Sequence, residues 1–148
     1  MTVAAFCGPS CGTQLFVHVV GSIVLFGSVF AVTILAYAAL RLGPDLAQLA
    51  RRVGFWTTAA LMVPAWIAMY GGGYWLLGQE GLDEDVPGWA NGGIQIANVA
   101  AALTLLLLVF GWLAVRRPRL GGVLAGVATL YLVALAVAWF LMSGKPSL

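Results

Sequence analysis

Charged side chains are scarce in this chain of 148 residues: Asp, Glu, Lys and Arg together make up 8% of it. A soluble domain usually carries about 25% of these residues. Hydrophobic residues reach 62%, so water would be a poor solvent for the surface of the folded chain. The net charge of +2 is too small to indicate nucleic acid as a partner. We therefore expect one integral membrane domain, residues 1–148, with the lipid bilayer as its solvent.

Residues of the usual catalytic sites are also few. His18 is the only histidine, and there are two cysteines. The sequence contains no glycine-rich phosphate loop, no paired carboxylates and no nucleophile next to a base. No carboxylate or basic residue falls within the long apolar stretches, so a proton or ion relay is not indicated. These absences favour a non-enzymatic membrane protein.

Four long apolar stretches dominate the sequence. Because about 20 apolar residues cross the ~30 Å hydrocarbon layer, we predict transmembrane helices at about residues 13–40, 54–78, 92–115 and 120–142. Residues of about 44–53 carry leucines and a valine at helical spacing, which predicts a short interfacial helix. The first stretch is too long for the apolar part of a signal peptide and follows no positive segment. The expected fold is an all-α, up-down bundle of four transmembrane helices.

The basic residues are distributed unevenly between the connecting segments. Six of the seven Lys and Arg lie at residues 41–53 and 116–119, whereas Lys145 lies near the C-terminus. Basic loops stay in the cytoplasm according to the positive-inside rule. We therefore predict a multi-pass protein of the plasma membrane. Both termini and the acidic loop at about 79–91 are expected on the extracytoplasmic side (N-out/C-out).

Small residues four positions apart predict close contacts between membrane helices. Such pairs occur in the first and fourth predicted spans: Gly27 with Ala31, and Gly122 with Gly126. In the second span, Pro64 is expected to disturb the helix because it lacks a backbone N–H. The three consecutive glycines at 71–73 predict either local unwinding or the close approach of another backbone.

Several polar side chains fall at the same depth, in the half of the predicted bundle nearer the termini. They are His18, Tyr70, Tyr74, Gln95 and Asn98. Polar groups avoid lipid best by bonding one another. We therefore expect His18 to face the interior and to meet the third span near Gln95 or Asn98. Tyr70 is expected close by. The cluster is either a set of hydrogen bonds that holds the bundle together or a polar pocket for a ligand or cofactor.

Cys7 and Cys11 flank a Gly-Pro-Ser turn on the side of the membrane that is predicted to be oxidising, which favours a local disulfide. Two free thiols, metal binding and a catalytic thiol pair are the alternatives. The pattern CGPSCG resembles the cysteine loop of binuclear copper sites in cytochrome oxidases. Cys7, Cys11 and His18 are thus the candidate metal ligands. Haem at His18 would require five-coordinate iron or a second axial ligand from another residue or chain.

Three segments resemble a family of four-helix integral membrane proteins of high-GC bacteria: HVVGSIVLFGS, VPAWIAMYGGGYWLLGQEGL and AWFLMSGKP. The resemblance covers most of the chain. It implies the fold and a bacterial inner-membrane location, and it brings no established activity. The histidine followed by glycine early in the first span is also similar to small bacterial membrane proteins of the copper-resistance and haem-pathway types.

Three functional hypotheses follow. The first is an accessory or scaffolding subunit of a larger membrane complex, whose partners are other membrane subunits or further copies of the chain. The second is a haem- or metal-binding redox protein centred on His18. The third is a carrier of a small apolar ligand, such as a quinone, that uses the aromatic outer half.

Overall fold

The computed structural model of the chain describes residues 12–81, 86 and 88–144. Its elements are, in order, α1 (Gly12–Arg41), α2 (Pro44–Thr57), a π-helical segment (Thr58–Met62), α3 (Val63–Glu80), α4 (Gly88–Arg116), a 3-10 turn (Pro118–Leu120) and α5 (Gly121–Gly144). Every element of this described part is helical, which confirms the predicted all-α class.

Among the described residues, four helical stretches are long and apolar enough to cross a membrane. They are Gly12–Arg41, Pro44–Gln79, Ala90–Arg116 and Pro118–Phe140. Large apolar side chains are widely exposed on the bundle; Phe16, Leu105 and Trp139 expose 66%, 63% and 67% of their surface. Lipid solvates such a surface without cost, whereas water does not. The chain is therefore a multi-pass membrane protein, as its composition predicts.

The second of these stretches is longer than the sequence predicts. α2, the π-helical segment and α3 follow one another without a break, so residues 44–80 form a single helical rod. The helix expected at about 44–53 lies within α2 and continues directly into the π-helical segment; its interfacial position stays a prediction. Those residues are the first turns of the rod, whose exposed leucines repeat at the spacing that suggested an independent amphipathic helix.

Small side chains explain why the rod begins so early. Ala47 and Ala50 are buried and pack with Ala39 near the end of α1. At the other end of the same helix pair, His18 of α1 bonds Met69 of α3. Both α2 and α3 thus contact α1.

The π-helical segment ends just before Pro64. A proline has no N–H to donate, and its ring crowds the carbonyl four positions earlier, here that of Ala60. The wider turn relieves this crowding, because the N–H of Val63 reaches back five residues to the carbonyl of Thr58. The disturbance expected at Pro64 thus takes the form of a π turn. The glycines at 71–73 show no unwinding and lie within α3.

Aliphatic and small side chains fill the centre of the bundle, and Tyr131 is the largest of the fully buried ones. Its hydroxyl lies 2.9 Å from the hydroxyl of Thr104, which is also buried. This bond joins α5 to α4 and satisfies a phenol that lipid could not solvate.

The two short turns of the bundle lie at the same end. One joins α1 to α2, and the other joins α4 to α5. The side-chain amide of Gln48 donates to the carbonyl of Val115 over 3.1 Å, which brings the two turns together. We call this the arginine end, because it carries Arg41, Arg51, Arg52, Arg116, Arg117 and Arg119. The opposite end, where α1 and α4 begin, is the His18 end.

Candidate functional site

Two glycines on facing helices bring α1 and α3 into close contact beside His18. A Cβ atom at Gly21 would lie 2.5 Å from the backbone nitrogen of Met69, and one at Gly72 would lie 2.8 Å from the backbone nitrogen of His18. Carbon atoms normally stay about 3.5–4.0 Å from their neighbours. No larger residue fits at either position unless a helix moves. Of the two predicted roles for the glycines of α3, the structure shows the close approach of another backbone.

This contact holds the imidazole of His18 in place. Its Nδ1 lies 2.7 Å from the carbonyl oxygen of Met69. A carbonyl only accepts hydrogen bonds, so Nδ1 donates and carries the hydrogen. A Cβ atom at Gly73 would lie 3.1 Å from Nδ1, so the missing side chain there leaves room for the ring. In the neutral imidazole, Nε2 is therefore unprotonated and keeps its lone pair.

The Nε2 atom of His18 remains available. Among the described residues, no hydrogen bond reaches it. Among the described side chains, the buried polar atoms without a hydrogen-bond partner are Gln14 Oε1 and Arg51 Nε. Nε2 of His18 is not among these buried atoms. The lone pair is thus both unused and accessible.

Three aromatic rings at four-residue spacing form a ladder along α3. The rings of Trp66 and Tyr70 are stacked with centroids 4.9 Å apart and an interplanar angle of 19°. Tyr74 continues the ladder at 4.9 Å with a tilt of 54°. The indole N–H of Trp66 donates to the carbonyl of Ala97 over 3.1 Å, and the hydroxyl of Tyr70 donates to Oδ1 of Asn98 over 2.9 Å. These two bonds connect α3 to α4.

A half-open cavity of about 700 Å³ lies between α1, α3, α4 and α5 at the His18 end. This volume is within the ~300–1,000 Å³ that small-molecule sites usually have. Its polar lining consists of His18, Ser22, Tyr70 and Tyr74. The apolar lining includes Phe26, Met69, Ile94, Ala97, Leu135 and Trp139. The hydroxyl of Ser22 is already used, since it donates to the carbonyl of His18 over 2.7 Å.

No family model matches the chain, and no curated protein or solved structure is significantly similar to it. The resemblance to four-helix membrane proteins of high-GC bacteria therefore stays a prediction. What the site can do has to be inferred from its geometry.

The predicted polar side chains fall into two groups in the structure. His18, Tyr70 and Tyr74 line the cavity. Asn98 bonds Tyr70 from α4, and Gln95 is exposed and does not line the cavity. The expectation that His18 meets the third span near Gln95 or Asn98 is wrong, because its ring bonds α3 instead. The helix packing accounts for this: α1 lies against α3, whereas α4 faces His18 across the cavity.

The glycines predicted to pack helices together do not do so within the described chain. Gly27, Gly122 and Gly126 are exposed, and a Cβ atom at any of them would meet nothing within 4 Å. Ala31 is half-buried. The backbones come close at Gly21 and Gly72, and sequence reasoning missed Gly21. The available signal was its position on the same helix face as His18, three residues on.

Several predicted features lie outside the described residues. These are Cys7, Cys11 and the acidic residues 83–85, so the disulfide and the copper-type ligation stay predictions. Within residues 12–81, 86 and 88–144, no three His, Cys, Asp or Glu side chains come together as a metal site.

Proposed function

We propose that this protein binds a small, mainly apolar molecule, such as a quinone, in the cavity at the His18 end, and that it does so without catalysing a reaction. The observation that carries the proposal is the cavity itself: about 700 Å³, walled by four helices and mainly apolar. Binding sites for small ligands combine such walls with a few well-placed polar groups. Here those groups are the imidazole of His18 and the hydroxyls of Tyr70 and Tyr74.

The polar groups are held rigidly, which supports a binding role over loose packing. His18 is fixed by its bond to Met69 and by the glycines around it. Tyr70 is stacked on Trp66 and bonded to Asn98. Side chains that are ordered before the ligand arrives lose little entropy when it binds.

We also propose that the helices run up and down, with both termini and the His18 end on the outer side of a bacterial plasma membrane. The support is the collection of six arginines at the opposite end, since basic loops stay in the cytoplasm. On this orientation the cavity lies in the outer leaflet, where a lipid-soluble ligand is available.

A second candidate function uses the same nitrogen. Imidazoles that ligate a metal generally donate their other N–H to a carbonyl or carboxylate, and His18 makes such a bond with Met69. Haem bound by Nε2 would give the purified protein a visible absorption band that His18→Ala removes, and a colourless metal ion would appear in elemental analysis. Purified protein with neither the band nor a stoichiometric metal would contradict this second candidate.

The hypothesis of an accessory or scaffolding subunit stays a prediction. Co-purification from a mild-detergent extract tests it: recovery of a defined partner in constant ratio supports it, whereas recovery of the chain alone contradicts it. A larger membrane complex and a homo-oligomer are distinguished by the composition of the recovered species.

The ligand-binding proposal is tested by filling the cavity. Gly27 lines the cavity, and a side chain there would enter open space. Gly27→Leu should therefore occupy the site without displacing any helix. Gly126→Leu is the matched control, because Gly126 is equally open and does not line the cavity.

Tryptophan fluorescence provides the measurement, since Trp139 lines the cavity and quinones quench indole emission. Ubiquinone-1 should quench the wild type and Gly126→Leu saturably, and quenching of Gly27→Leu should be linear and weak. Equal saturable quenching of all three proteins would show that the cavity is not the binding site.

A further inference from the structure

We propose that the ligand of this cavity carries a hydroxyl group that donates a hydrogen bond to Nε2 of His18, so that a quinol or another phenol binds in preference to a quinone or an ether. The inference rests on the proposed function, because it concerns the same cavity. It goes further in stating which chemical form the site selects.

The first step of the argument is the tautomer. The 2.7 Å contact between Nδ1 of His18 and the carbonyl of Met69 requires the hydrogen on Nδ1. The neutral ring therefore presents Nε2 to its surroundings as an acceptor only. A quinone carbonyl or an ether oxygen is also only an acceptor, and two acceptors do not bond. A hydroxyl supplies the missing hydrogen.

The second step is that the chain itself leaves this acceptor unsatisfied. Two other polar groups of the lining already donate within the chain: Ser22 donates to the carbonyl of His18, and Tyr70 donates to Asn98. The hydroxyl of Tyr74 lies 3.4 Å from that of Tyr70, on the aromatic ladder. No hydrogen bond from the described residues reaches Nε2 of His18. A ligand that donates to it pairs a group that an apolar ligand would leave unpaired, and an unpaired polar group is costly away from water.

The third step is that the tautomer cannot easily switch. To place the hydrogen on Nε2, the ring would have to give up its bond to Met69 and leave two acceptors facing each other at 2.7 Å. Turning the ring away would likewise break the bond between Nδ1 and the carbonyl of Met69. The preference for a donor is thus built into the helix contact.

The first test reads the tautomer directly. His18 is the only histidine of the chain, so 15N-histidine labelling gives one pair of ring signals that need no assignment by mutation. In alkaline buffer we expect a protonated Nδ1 and an unprotonated Nε2. Adding 4-hexylphenol should move the Nε2 signal towards the hydrogen-bonded position and leave Nδ1 nearly unchanged. A protonated Nε2 in the free protein would overturn the inference.

The second test compares two ligands that differ in one hydrogen-bond donor, 4-hexylphenol and its methyl ether 4-hexylanisole. The wild type should bind the phenol about tenfold more tightly, the value for one net hydrogen bond. In His18→Leu the two affinities should become nearly equal. If that variant does not fold, the nitrogen signals of the wild type still decide.

The outcomes separate the inference from the proposed function. If the wild type bound phenol and ether with equal affinity, and Gly27→Leu bound neither, the inference would be overturned. The cavity would then remain a ligand site. If the wild type bound none of the three compounds (the phenol, the ether and ubiquinone-1), the proposed function and the inference would both be removed. Preference for the phenol that persists in His18→Leu would assign the selectivity to another group and overturn the inference.

Discussion

The contact between α1 and α3 makes a sharp prediction about two adjacent glycines. Gly72 faces the backbone of His18, and a Cβ atom there would lie 2.8 Å from its nitrogen and 3.1 Å from its Cα. Gly71 is exposed, and a Cβ atom there would meet nothing within 4 Å. Both belong to α3, so Gly72→Ala and Gly71→Ala change helix propensity equally and differ only in the contact.

The size of the effect follows from these distances. In Gly72→Ala, the distance of 2.8 Å between the new Cβ atom and the backbone nitrogen of His18 would be about 0.7 Å shorter than an ordinary contact of ~3.5 Å. The opposing atom belongs to the backbone, so no side-chain rotation relieves the clash, and the helices must separate. Separation by that amount would stretch the 2.7 Å bond of His18 to about 3.4 Å, beyond the usual limit of ~3.2 Å.

The free-energy terms can then be compared. Overpacking costs about 1–3 kcal/mol, and the weakened bond adds about 0.6–1.5 kcal/mol. Alanine recovers about 1 kcal/mol over glycine through helix propensity. Gly72→Ala should thus lower the free energy of unfolding by about 1–3 kcal/mol, whereas Gly71→Ala should leave it unchanged or raise it by up to about 1 kcal/mol.

Unfolding in mixed micelles, followed by circular dichroism as SDS replaces a mild detergent, measures this difference. Gly21→Ala should behave like Gly72→Ala or worse, because its clash distance is 2.5 Å. If Gly72→Ala proved as stable as Gly71→Ala, the helices would not be in backbone contact at His18, and the fixed tautomer would lose its basis.

Three further predictions concern bonds and orientation. Tyr131→Phe should destabilise the bundle by about 1 kcal/mol, because the buried bond to Thr104 is lost; Tyr37→Phe, which removes an exposed bond of 3.2 Å, should cost less in the same titration. His18→Ala and Asn98→Ala should have nearly additive effects on unfolding, since they bond different partners; a double mutant much milder than the sum would contradict the separation of the two bonds. In a chain without its native cysteines, cysteine at Ser147 or Glu80 should react with an impermeant thiol reagent outside intact cells and cysteine at Arg117 should not, and the reverse pattern would invert the proposed orientation.

The number and approximate limits of the spans could be predicted from the sequence, because hydropathy depends on each residue separately. The start of the helix that contains the second span could not. Arg51 and Arg52 indicate that the membrane-spanning part begins after them. The start of the helix, however, also depends on packing. Ala47 and Ala50 let α2 follow α1 beyond the apolar stretch, and nothing in a hydropathy profile reports a neighbouring helix.

The partner of His18 was beyond sequence reasoning for a different reason. The sequence shows only which side chains can form hydrogen bonds, and it therefore indicates Gln95 and Asn98 as partners of His18. The ring bonds a main-chain carbonyl instead, and every residue has one. Which carbonyl is exposed to a neighbour depends on where glycines let two backbones meet, and that depends on the register between helices.

The same register also explains why the cavity exists. One face of α3 carries the glycines that let it lie directly on α1, while a neighbouring face carries the aromatic ladder of Trp66, Tyr70 and Tyr74. The glycines let α3 lie close to α1, whereas the three rings keep α3 further from α4. The helix therefore cannot pack equally closely against both neighbours. The space that remains between α3 and α4 is bridged by the bonds from Trp66 and Tyr70 and is open beside His18. Shrinking the rings should therefore close the cavity, whereas enlarging the glycines should displace the imidazole, so the two faces of α3 control separately the volume of the site and the position of its acceptor.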